Sequence, residues 1–114
     1  MNNISPQLQN QIAQFQQLQQ QLQAVSGQKL QMEAQKKEME KTVEELERAT
    51  GDVYKNVGSL MIKVDDKASV KDEIEEAKET LEVRIKSMER QEKSLREKYD
   101  VLQDTLNKAM SQQS

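Results

Sequence analysis

A chain of 114 residues with 32% charged and only 34% hydrophobic side chains, and one Phe and two Tyr as its aromatics, cannot fill a compact core. What remains is disorder or an elongated helical structure with a narrow apolar seam. The absence of Cys and His removes thiol chemistry, disulfides, the usual zinc sites and the commonest general base, and a net charge of −3 with interleaved signs argues against a nucleic-acid footprint.

From residue 6 to about 49 the chain carries heptads. Pro6 suits a first helical turn and Ser5 before it can cap that turn. Phe15, Leu22, Lys29, Lys36 and Val43 occupy one repeating position, and Leu18, Val25, Met32, Met39 and Leu46 the other. Alternating steps of three and four are the coiled-coil signature. Gly27 costs such a helix about 1 kcal/mol and does not stop it. The tract over residues 7–28 is rich in Gln, but its apolar residues keep helical spacing, so it reads as a helix with a polar outer surface and not as a prion-like segment.

The period then changes. Val53, Lys55 and Val57 alternate with Tyr54 and Asn56, and Leu60, Ile62 and Val64 alternate with Met61 and Lys63, around Gly58 and Ser59. The pattern predicts a β-hairpin over about 52–65. Two strands alone are marginal in water, so its apolar residues are expected to seek neighbouring strands.

A second heptad helix is expected over about 69–110, capped by Asp66 or Ser69. Ile74, Leu81, Met88, Leu95, Leu102 and Ala109 form one series, and Lys71, Lys78, Ile85, Glu92, Tyr99 and Leu106 its partner. Matched helix lengths suggest an antiparallel pair in which facing residue numbers add to about 117. Val43 then faces Ile74, Met32 faces Ile85, Leu22 faces Leu95, Leu18 faces Tyr99 and Phe15 faces Leu102. Val25 falls opposite Glu92 and Lys36 opposite Leu81, with lysine stems snorkelling. A shift of one heptad is the rival register.

The expectation is therefore one mainly α domain over residues 1–114: a long antiparallel two-helix coiled coil joined by one β-hairpin. Asp65-Asp66 does not fit a calcium loop, there is no Gly-rich phosphate loop, and paired carboxylates on an exposed helix do not make an active site, so no enzyme and no cofactor or metal is expected. The charge runs, such as Glu44, Glu45 and Glu47, read as solvated helix faces. No apolar run approaches a membrane span and the N-terminus lacks a signal-peptide layout, which points to a soluble cytoplasmic protein.

Two sets of residues are candidates for function. Val53, Tyr54, Val57, Leu60, Ile62 and Val64 are read as assembly contacts of the hairpin, the alternative being that they pack only on their own helices. Ile4, Leu8, Ile12, Phe15, Leu102, Leu106 and Met110 gather near the termini, at the end expected to lie away from the hairpin. Fraying there would uncover apolar side chains able to bind others. Leu8, Phe15, Leu102 and Leu106 can equally complete the seam, whereas Ile4, Ile12 and Met110 fit it less well. Lys29 and Lys36 read as register devices or snorkelling stems, with no ligand role.

The layout resembles the beta class of prefoldin. The resemblance is carried by Val53-Tyr54-Lys55-Asn56-Val57-Gly58 with Leu60-Met61-Ile62-Lys63-Val64, and by Leu81-Glu82-Val83-Arg84, Glu89-Arg90-Gln91-Glu92, Leu95 and Lys98. The Gln-rich stretch Gln14-Phe15-Gln16-Gln17-Leu18-Gln19-Gln20-Gln21 is similar to archaeal members. Alpha-class subunits carry two hairpins, for which there is no room. The resemblance implies an ATP-independent chaperone subunit in a heterohexamer of two alpha-type and four beta-type subunits. It implies hairpins joined in a multi-subunit β-barrel, tips that hold unfolded client proteins, and transfer to a group II chaperonin, with charges such as Lys98, Asp104 or Lys108 as candidate contacts. A structural coiled-coil adaptor or dimerisation rod is the alternative reading; it would close its seam to the ends and would not need an assembly hairpin.

Overall fold

The computed structural model describes residues 4–113. Helix α1 runs Pro6–Arg48, strand β1 Val53–Val57, strand β2 Leu60–Val64 and helix α2 Lys67–Gln113. Both ends of α1 and the start of α2 are fastened by local groups. The Leu8 amide donates to Ser5 Oγ at 3.1 Å and the Gln9 amide to the Ser5 carbonyl at 2.9 Å, which satisfies donors the first turn of α1 leaves open. Asp66, and not Ser69, caps α2: its Oδ1 accepts the Ala68 amide at 3.1 Å, so the helix starts at Lys67. At the exit from α1 the Lys67 ammonium donates to the Ala49 carbonyl at 2.6 Å, placing a cation where the helix dipole is negative.

The chain divides into two compact units. The first joins the chain up to Leu30 with the chain from Lys86 onward; the second is Gln31–Ile85. In the second unit Val43 and Leu46 on α1 and Leu81 and Ile85 on α2 are buried, and Met32, Met39 and Ile74 are half-buried. In the first unit Leu8 and Leu106 are buried, and Phe15, Leu18, Leu22, Val25, Met88, Leu95, Tyr99 and Leu102 are half-buried. These are the two heptad series of each helix. Among the described residues no large side chain is less than 2% exposed and no buried polar side chain occurs, so each seam is a single layer of apolar contacts.

Within each unit the helices run antiparallel. In the second, Lys36 pairs with Glu82 at 3.6 Å, Lys78 with Glu40 at 3.9 Å and Lys71 with Glu47 at 2.7 Å. In the first, Phe15 stacks on Tyr99 with ring centroids 4.6 Å apart, and Lys29 meets Glu92 at 2.8 Å. The three pairs of the second unit fit the expected register. A one-heptad shift would set Lys71 opposite Met39 or Val53 instead of beside Glu47. Two details depart from the expectation: the Phe15 ring chooses Tyr99, a turn away from Leu102, and Glu92 turns from Val25 to polar partners.

Among the described residues no helix is long and apolar enough to cross a membrane.

Candidate functional site

The hairpin is the part of the second unit that its own helices leave uncovered. Its antiparallel register pairs Val53 with Val64, Tyr54 with Lys63, Lys55 with Ile62, Asn56 with Met61 and Val57 with Leu60. Gly58 and Ser59 make the two-residue turn. Gly58 has a φ of +62° and no other described residue has a positive φ, which is the first-position glycine of a type II′ turn. Opposed residues share a face, so the pleat sorts the side chains. One face carries Val53, Val57, Leu60, Ile62 and Val64, with Lys55 as its single charge; the other carries Tyr54, Met61, Asn56 and Lys63.

The sequence-based set thus divides. Tyr54 lies on the face opposite Val53, Val57, Leu60, Ile62 and Val64. Only Val53 and Val64, at the roots of the strands, are half-covered; all other hairpin residues are exposed. Met61 is 71% exposed, the most exposed of the large hydrophobic residues, and was missing from the expected contact set. Its alternation with Leu60 and Ile62 was the signal for a second apolar group on the reverse face. Among the described residues the sheet has two strands and both its edges are unpaired. Lys55 is held by Glu73 at 3.0 Å and Lys63 by Asp52 at 3.7 Å, which anchor the charged members of the sheet to nearby acids.

The expected contact residues near the termini all fall in the first unit. Leu8 and Leu106 are buried and complete the seam. Ile4, Ile12, Phe15 and Leu102 are half-buried, and Met110 is exposed. Sequence reading missed Val101 and Leu30, which are exposed on the helix surfaces of the same unit. Both stand outside the heptad positions, so a seam-directed search passes over them.

Polar locks tie the helices inside each unit. Ser26 Oγ donates to Glu92 Oε2 at 2.6 Å while Lys29 Nζ donates to Glu92 Oε1 at 2.8 Å. Hydrogen bonding from Lys29, and then from Ser26, holds the Glu92 carboxyl below its ordinary range. In the other unit the Lys71 hydrogen bond lowers the Glu47 carboxyl in the same way, and Glu47 raises the Lys71 ammonium.

Two long helices, antiparallel within each unit and joined in sequence by a β-hairpin, define a protein of the helix–hairpin–helix class. Residues 9–113 match the family described as prefoldin subunit. The crystal structure of the prefoldin beta subunit from Thermococcus strain KS-1 is similar at 40% sequence identity and a TM-score of 0.85, over 96% of each chain. No curated protein matches the chain. The chain belongs to the prefoldin subunit family. Members of that family are non-enzymatic chaperone subunits that assemble with other prefoldin subunits.

Proposed function

We propose that this chain is the beta-type subunit of an ATP-independent holdase, which binds non-native proteins and passes them to a group II chaperonin in the cytoplasm. In this reading two alpha-type and four beta-type subunits assemble, and the unpaired hairpin edges of each subunit are completed by neighbours in a shared β-barrel. Val53, Val57, Leu60, Ile62 and Val64 supply the apolar face that assembly covers, and Tyr54 contributes from the reverse face. Clients are held by the unit that carries both termini. Met110, Ile12 and Ile4 are available first; Leu8, Phe15, Leu102 and Leu106 join as the end turns open. Each such contact is worth about 1–3 kcal/mol, and several subunits acting together raise weak contacts to useful avidity.

The observation that carries this reading is the hairpin. Val57, Leu60, Met61 and Ile62 all stand exposed on a sheet that has two strands among the described residues, a state that water disfavours on both faces and both edges. The test is to mix the subunit with an alpha-type prefoldin subunit, measure mass by size-exclusion chromatography with light scattering, and follow aggregation of a chemically denatured client without nucleotide. A six-subunit particle that suppresses aggregation is expected. A dimer that forms without the alpha-type subunit and leaves the client unprotected would support the adaptor reading instead.

A further inference from the structure

The first unit contains an open groove of about 640 Å³ along α1 and α2. Its floor is apolar at Leu18 and Leu102, both half-buried, with half-buried Gln11 beside them. The α1 rim is a row of exposed amides, Gln14, Gln17 and Gln21, at helical spacing. The α2 rim presents Ser94, Lys98, Val101 and Thr105, with Glu97 next to Lys98. Thr105 gives its hydroxyl proton to the Val101 carbonyl at 3.0 Å, so its oxygen lone pairs stay open to a ligand.

The charges on this lining are one acid and one base. All other polar groups are neutral, and each carboxamide offers both a donor and an acceptor. That is the electrostatic complement of a peptide backbone, whose N–H and C=O dipoles are neutral, alternate along the chain and are the same in every sequence. From Gln11 to Gln21 the helix rises about 15 Å, the length of roughly four or five extended residues. A helical ligand has already satisfied its own backbone and would leave the amides of the rim without partners.

We infer that this groove binds an extended segment of about four to five residues of a non-native polypeptide through its backbone, with Leu18, Val101 and Leu102 receiving its apolar side chains. The inference rests on the holdase reading and deepens it. It makes an unpaired backbone, together with apolar side chains, the feature by which a client is recognised.

The test uses the particle reconstituted with an alpha-type subunit. The probes are a fluorescein-labelled octapeptide of Ser, Ala and Val, and the same peptide N-methylated at alternate residues, followed by fluorescence anisotropy. N-methylation is expected to weaken binding about tenfold, the equivalent of one or two lost hydrogen bonds. Gln14→Ala with Gln17→Ala keeps good helix formers at exposed positions. It should bind the plain peptide several-fold more weakly and discriminate less between the two probes. Equal binding of both peptides by the unmodified particle, an unchanged double variant, or a helical circular dichroism signature of the bound peptide would each overturn the inference. Suppression of client aggregation is measured on the same particle. Its retention alongside any of those results leaves the holdase reading standing and removes only the groove; its absence alongside clear discrimination between the peptides does the reverse.

Discussion

Replacing Val57, Leu60 and Ile62 together by serine should weaken assembly about a hundredfold while leaving the subunit folded. These side chains are 49%, 64% and 48% exposed in the isolated chain, so about half of the surface of each remains for neighbours to cover. Full burial of a Val, Leu or Ile is worth about 1.5–3 kcal/mol. Half of that is about 1 kcal/mol each and about 3 kcal/mol per hairpin, roughly a hundredfold in association. Because these residues add little to the helix seam, circular dichroism at 222 nm and the thermal midpoint of the isolated subunit should stay close to those of the unmodified chain. Size-exclusion chromatography with light scattering, over a hundredfold range of concentration with an alpha-type partner, reads the shift. Assembly of the triple variant at the same concentration as the unmodified subunit would refute the reasoning. So would loss of helix, which would show the hairpin to be a support of the helices and not a surface for neighbours.

Three further outcomes are expected. Ile12→Ser with Met110→Ser should weaken suppression of client aggregation several-fold while the mass of the assembled particle is unchanged; undiminished protection would move client contact away from the unit bearing the termini. Gly58→Ala should destabilise the hairpin by about 1–3 kcal/mol, the cost of holding an L residue in a sparsely populated positive-φ conformation. A Cβ at this position meets no atom within 4 Å, so the penalty is conformational, and Gly58→Asn should recover part of the assembled fraction measured by light scattering. The Glu92 carboxyl, bound by Lys29 and Ser26, titrates lower in the folded chain than in the unfolded one. Its contribution is therefore complete above the ordinary carboxylate range and is lost as pH falls through the lowered folded value. Glu92→Gln should flatten the acid limb of stability, read as the change in urea midpoint between pH 7 and pH 3. A variant as acid-sensitive as the unmodified chain would remove Glu92 from that role.

Periodicity made most of the fold legible. The three-and-four spacing that runs through Leu18 and Val43, and through Leu81 and Leu102, marks residues that are half-buried or buried in the structure. Burial is what fixes a heptad, so the repeat records it directly. The break of period at Val53 likewise revealed the hairpin. A heptad names a slot but not the rotamer that fills it. Lys29 was read as a register device or a snorkelling stem; its ammonium turns inward to Glu92, and Ser26, outside the principal series, joins them. Two opposite charges in neighbouring seam layers were the available signal. The start of α2 was ambiguous because Asp66 and Ser69 are both good caps, and only the Ala68 amide decides between them. The groove was invisible for a different reason: glutamine spaced along a helix looks like ordinary solvated surface until the opposite rim is in place.

The stacking of Phe15 on Tyr99 also has a consequence for how the protein is made. The ring near the start of the chain finds its partner only after most of the remaining sequence has been synthesised, about 4–17 s later at ordinary translation rates. Throughout that interval the apolar stripe of α1 leaves the ribosome without the helix that will cover it. A subunit of a chaperone family therefore passes this interval as an unfinished protein itself.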